Sequence, residues 1–283
     1  AVSGIVAGNE LSNIGDAGIN VGSAIEACDG LIISNNTVTN AGAVGTPNNA
    51  GAINLYSDCT NITITGNTLA DSWDGITIKD VGALGSGITV SLNNITGNSH
   101  YGVLNSAVSG TLDAEDNWWG NASGPQLDDA VYTSYGDKVS ANVDYEPWLL
   151  EEQETATTFD KTLALKDEWT LVSTDKEVTT GSDLVGETLA YRYALDPDSG
   201  NLAFLEAAAT NLEPVSALYV KTVGGGGVGI IYAPGAPGVS SKDLVAGWNL
   251  ISSGTVAPVG AVLSPLRDIA QTGAGLTTLV SQG

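Results

Sequence analysis

Apolar and polar residues alternate in short bursts through the first half of the chain, as in LIISNNTV (31–38), NITITGNTL (61–69) and ITVSLNNI (88–95). A period of two marks strands. An asparagine sits at a fixed place in each burst, giving a column Asn9, Asn36, Asn67, Asn93 and Asn117 with spacings of 27, 31, 26 and 24 residues. Three residues before each stands Val6, Ile33, Ile64, Val90 or Ala114, and two after stands Leu11, Val38, Leu69, Ile95 or Trp119. A strand-based repeat of this length cannot bury its own apolar face and must stack on its neighbours. The pattern predicts an all-β chain whose residues 1–149 form a right-handed parallel β-helix. Two strands per coil are expected, one set at 18–21, 52–55, 75–78 and 101–104, the other at 31–34, 62–65, 88–91 and 111–114. The asparagine column reads as a structural ladder, because stacked amides at a tight turn satisfy one another and the bent backbone. The stretch 41–51 has no counterpart in later coils and reads as a loop insertion.

Beyond residue 149 the pattern changes. Residues 150–158 (LEEQETATT) form an acidic linker, and 159–283 carry strand-like runs bounded by Gly, Pro and Asp. EWTLVSTDK (168–176) and GWNLISSGT (247–255) are two versions of one strand, with Trp169 and Trp248 lying 79 residues apart. Tyr219 follows Trp169 by 50 residues, and the second version reaches Gly283 before the equivalent place, so the second sheet is expected to lack its closing strand. The first coil, already present at Val6–Leu11, is expected to be open at the other end.

Charge narrows the function. Nine Lys and Arg face 32 Asp and Glu, a net charge of −23, which disfavours nucleic acid and anionic lipid as partners. No apolar run approaches the ~20 residues of a membrane helix. Cys28 and Cys59 precede equivalent strands in successive coils, about 4.8 Å apart when stacked, and predict a disulfide with an oxidising compartment. Two reduced thiols filling the core are the alternative. Asn35, Asn61, Asn94 and Asn121 open Asn-x-Ser/Thr sequons and are candidate glycosylation sites.

NWWGNASGP and GDKVSANVDYEPWL resemble the closing segment of secreted prokaryotic parallel β-helix repeat proteins. That resemblance implies that Trp118, Trp119 and Trp148 plug the last coil. The WTLVS and GWNLIS strands, with Leu212, Pro214 and Tyr219, resemble the β-sandwich-type modules of prokaryotic cell-surface proteins. Paired tryptophans also bind sugar, which makes Trp118 and Trp119 candidate glycan contacts.

Catalytic chemistry is poorly supplied. Before its terminal segment the solenoid offers Lys79 as its only base of the Lys/Arg type, followed by Lys138, and the chain has one histidine, His100. A lyase needs a base and cations for its acidic sugar, and a hydrolase needs two facing carboxylates. No catalytic or cofactor residue is assigned, and His100 reads as a turn residue. Calcium is the one cofactor with candidates: Asp196, Asp198 and Asn201 open like a calcium loop, although Glu206 falls one place early and a plain hairpin turn competes. Asp113, Glu115 and Asp116, with Asp128 and Asp129, are a second acidic group. The sequence thus points to an extracellular structural protein without enzymatic activity, assembling with copies of itself through open ends. The alternatives are an adhesin that binds cell-surface polysaccharide, or a β-helix lyase or hydrolase.

Overall fold

The computed structural model describes residues 4–23, 27–42, 51–79, 82–127, 134–154 and 156–238. Residues 43–50 of the expected 41–51 insertion, Asp128 and Asp129, and the second Trp strand at 247–255 lie outside the described residues, while Ala41 ends β5 and Gly51 opens β6.

Each coil has three strands. The first holds β1 (Gly4–Ala7), β2 (Glu10–Ile14) and β3 (Ile19–Val21); the second, β4 (Leu31–Ser34), β5 (Thr37–Ala41) and β6 (Gly51–Tyr56). The third holds β7 (Thr63–Thr65), β8 (Thr68–Ala70) and β9 (Asp74–Lys79); the fourth, β10 (Thr89–Ser91), β11 (Asn94–Thr96) and β12 (Tyr101–Asn105). β13 (Leu112–Asp113), β14 (Pro125–Leu127), β15 (Gly136–Val139) and β16 (Val143–Asp144) finish the stack. Three parallel sheets result, ordered β1-β4-β7-β10-β13-β16, β11-β8-β5-β2 and β14-β15-β12-β9-β6-β3. The sheet through β2, β5, β8 and β11 adds a third strand to the expected two. Its strands carry few apolar residues, Val38, Leu69 and Ile95 among them, too few for alternation to be read from sequence.

Register places like residues over like. Val6, Ile33, Ile64 and Val90 form one inward column, Leu11, Val38, Leu69 and Ile95 a second, and Ile19, Ile53, Ile76 and Val103 a third. Apart from Val6 and Leu11 in the first coil, these side chains are buried. The asparagines run through the corner between the first two sheets. The Oδ1 of Asn36, Asn67, Asn93 and Asn117 each accepts the backbone N–H and the Nδ2–H of the asparagine one coil earlier, at 2.8–3.1 Å. Each Nδ2 of these four also donates to a carbonyl of the previous coil: Val6, Ile33, Ile64 and Val90. A left-handed residue precedes every rung: Gly8, Asn35, Gly66, Leu92 and Asp116, with φ between 54° and 68°. Where Asn35 takes this place, its Oδ1 lies where a Cβ on Gly66 of the next coil would have to be, so the glycine makes room for the amide below it.

The second unit is an antiparallel sheet of β17 (Lys161–Leu165), β18 (Glu168–Ser173), β19 (Asp183–Leu195), β20 (Leu202–Glu206) and β21 (Ala217–Ile230), with one 3-10 turn at Ala209–Asn211. β21 is its spine and pairs with β17, β18 and β19; β20 pairs outside β19. Leu165, Val172, Leu184, Leu212, Leu218, Val220, Val228 and Ile230 form its own core. The fold is therefore a parallel β-helix followed by a β-sandwich-like domain.

The two units meet at the last coil. Trp119, Trp148, Leu150 and Phe159 are buried there, and the Trp148 indole N–H donates to the Ala122 carbonyl at 3.0 Å. The glycines of β21 have a physical reason at this contact. A Cβ at Gly227 would strike the Ala122 carbonyl and Leu150, one at Gly225 the Tyr135 ring, and one at Gly229 the Phe159 ring. The segment after residue 149 is no free tether, since Leu150 is buried and the Gln153 N–H donates to Asn94 Oδ1 at 2.8 Å.

Replacing Asn67 by alanine removes the side-chain acceptor of the Asn36 backbone N–H, one of the three acceptors of Asn36 Nδ2, and the side-chain donor to the Ile33 carbonyl. At about 1–3 kcal/mol for each unsatisfied buried group, the expected loss is about 3–5 kcal/mol. Asn9→Ala, at the exposed first rung, should cost about 1 kcal/mol or less. Urea denaturation of both variants checks the difference, and equal losses would mean that the ladder is not what holds the coils.

Candidate functional site

The second corner of the solenoid, between the second and third sheets, carries a polar ladder of different composition. Ser72 Oγ accepts the Ala41 N–H at 3.0 Å, Asn98 Oδ1 accepts the Ser72 N–H at 3.0 Å, and Asp137 Oδ2 accepts the N–H and Nδ2–H of Asn98 at 3.0 and 2.7 Å. Ser, Asn and Asp share the role, so no single-letter column marks it in the sequence. Beside it, Asp74 is fully buried at the start of β9. Its Oδ1 accepts the Tyr101 N–H at 2.9 Å and lies 3.0 Å from His100 Nδ1; its Oδ2 accepts the Thr77 hydroxyl at 3.0 Å. The His100 ring stacks on Trp73 at 5.0 Å and meets the Tyr101 ring edge-on at 4.5 Å, while 40% of its side chain stays exposed. His100 is thus held by a buried carboxylate. The sequence offered no signal for this, because the pair is 26 residues apart and joined only by the coil register.

Burial pushes the Asp74 carboxyl above its ordinary 3.8, with Thr77, His100 and Tyr101 pulling the other way. Burial likewise raises Asp137, against the Asn98 and Gly97 hydrogen bonds. At the last coil, burial raises Glu115, and Asp113, Asp144 and Asp116 add repulsion; burial and then Asp113 raise Asp116. Among the described residues no group of three or more His, Cys, Asp or Glu is placed to hold a metal ion.

The calcium candidates form the turn between β19 and β20. Asp196 Oδ2 accepts the Ser199 hydroxyl at 2.6 Å, its Oδ1 accepts the Asp198 N–H at 3.1 Å, and the Asn201 amide donates to the Ser199 carbonyl at 3.2 Å. Those bonds are internal to a hairpin turn and use the Asp196 carboxylate that a cation would need.

The disulfide expectation is corrected. Cys28 and Cys59 do occupy matching places, with Asp29 paired to Thr60 and the Thr60 N–H donating to the Cys28 carbonyl at 2.9 Å, but both are free thiols. Cys59 Sγ is buried and accepts the Cys28 backbone N–H at 3.2 Å. Burial raises the Cys59 thiol further.

The tryptophans separate. Trp119 is fully buried in the end plug and has no surface to offer a sugar, while Trp118 is half-buried beside Asn94. Exposed aromatic surface lies instead on the second unit. Trp169, Tyr191, Phe204 and Tyr219 line an open concavity of about 430 Å³ on the sheet face opposite its core. Trp169 is 45% and Phe204 59% exposed. Their rings pack across β18, β19, β20 and β21 at centroid separations of 5.7–6.5 Å for Trp169–Tyr191, Trp169–Tyr219 and Phe204–Tyr219. The four rings come from four different strands, and no local sequence pattern joins them.

With this geometry in hand, residues 2–142 match the family described as right handed beta helix region. No curated protein and no solved structure matches the chain. That match agrees with the parallel β-helix that these residues form.

Stability should depend on pH in two separate windows. Asp74 and Asp137 hold a proton more tightly folded than unfolded, so acidification from neutral pH toward the unfolded carboxyl value stabilises the fold, and raising the pH removes that contribution. Asp167 is lowered by the Tyr135 hydroxyl and then by the Gly224 N–H, so its contribution is present above the ordinary carboxyl value and is lost as the pH falls through the depressed one. Thermal melts should show Tm rising as the pH falls from neutral toward the ordinary carboxyl value, and falling again below it. Asp74→Asn should flatten the rise. A Tm that does not rise anywhere between neutral pH and the ordinary carboxyl value would contradict the assignment.

Proposed function

We propose that this chain is an extracellular structural protein, a subunit of a cell-surface filament, sheath or layer that associates with copies of itself. The observation that carries this reading is mechanical. An unbroken amide ladder spans the solenoid, and the glycines of β21 seat the second unit directly on its Trp119–Trp148 plug, so the two halves form one stiff body. A shape of this kind suits a role exercised through surfaces. Among the described residues β1, β2 and β3 are the end strands of the three sheets, and Val6, Leu11 and Ile14 are only half-buried there. A strand pairing in register with them would extend the sheets. Sedimentation velocity and negative-stain imaging of the native protein test this: concentration-dependent growth into regular filaments or lattices is expected. A monodisperse particle of one chain at high concentration would sink the assembly reading.

The second reading is a carbohydrate-binding adhesin, and the exposed aromatic concavity favours it. Flat rings splayed around an open hollow suit stacking against the apolar faces of sugar rings. The contact belongs to Trp169 and its neighbours in this reading, with cell-surface polysaccharide as the partner. On a glycan array, Trp169→Ala should reduce retention about tenfold or more, in line with the ~1–3 kcal/mol of one stacked ring. Retention unchanged in the variant, or none in the wild type, would remove it.

A further inference from the structure

The four sequons differ sharply in what the fold leaves free. At Asn121, the hydroxyl that completes the triplet belongs to Ser123, which is buried and accepts the Tyr135 N–H at 2.8 Å; Asn121 Oδ1 itself accepts the Ser123 N–H. At Asn94, the side chain is half-buried and Oδ1 is engaged by the Gln153 N–H. At Asn61, the side chain is exposed, but the Nδ2 that would be modified donates to Asp29 Oδ1 at 2.8 Å.

Asn35 stands apart. It is exposed on a left-handed turn with φ 54°, and its Oδ1 rests against the glycine of the coil above. Its Nδ2 has no hydrogen-bond partner among the described residues, and Thr37, whose hydroxyl completes the triplet, is exposed at the start of β5. The residue between them, Asn36, is a buried rung of the ladder, which fixes the orientation of its two neighbours.

We propose that Asn35 is the site of N-linked glycosylation in this protein. The inference rests on the extracellular reading above. The donor is a lipid-phosphate-linked oligosaccharide. Asn35 Nδ2 attacks the anomeric carbon, the N–C1 bond forms as the C1–O bond to the phosphate breaks, the lipid phosphate departs, and one amide proton is released. No oxidant or reductant takes part. A glycan here would leave the chain at the outer corner between the first and second sheets, on the second coil, clear of the aromatic concavity and of the end plug.

Mass spectrometry of the native protein tests this, reading the peptide that carries Asn35 against those that carry the other three sequons. Surface biotinylation of intact cells reads location independently. A surface-labelled protein with a glycan on the Asn35 peptide, and less on any other, is the expected result. Thr37→Val should abolish that mass addition and Thr37→Ser should keep it, while Asn35 and its turn are untouched; Asn35→Gln should also abolish it. A surface-labelled protein with Asn35 unmodified overturns the inference and leaves the extracellular reading standing. A protein that intact cells shield from labelling overturns that reading, and this inference with it.

Discussion

The asparagine amide is the constraint on which this structure depends. A parallel solenoid must turn its backbone sharply at every corner, and each turn leaves amide and carbonyl groups that no sheet hydrogen bond can reach. One primary amide per coil, inserted at the same place, closes both deficits: its oxygen serves the coil before it in sequence, and its nitrogen serves a carbonyl three residues ahead of that coil's own asparagine. Because each rung binds the next, the register of every strand follows from it. A slip by one residue would bury the polar set of a whole coil.

This dependence also explains which parts of the fold were legible. The ladder uses one residue type at one place, so its column stood out in the sequence, with the inward columns of Val, Ile and Leu around it. The sheet holding Val38, Leu69 and Ile95 was less visible because its strands carry too few apolar residues for alternation to show. The second corner was hidden because Ser72, Asn98 and Asp137 perform one task with three side chains. The Asp74–His100 pair and the aromatic concavity were hidden for a different reason. Both are made by register, which joins residues that the sequence keeps well apart, and no local pattern encodes that.

The cysteines show how a sound placement can mislead about chemistry. Their stacking was correctly located, yet both are free thiols, and Cys59 fills the apolar interior while its sulfur accepts the Cys28 backbone N–H. The glycine run of β21 carries the opposite lesson. Read alone it resembles a flexible stretch, yet it is a fitted surface in which each missing side chain makes room for a particular group at the end of the solenoid.

The ladder has a direction. Every acceptor oxygen from Asn36 to Asn117 points back toward the coil before it in sequence, so the dipoles of the amides add along the axis instead of cancelling. At the first described coil, the Asn9 amide donates forward to Asn36, and its own oxygen accepts no hydrogen bond among the described residues. The two faces of every coil within the stack are therefore unlike, one presenting amide oxygens and the other amide hydrogens, so coils of this kind add to one another in a single orientation along the axis.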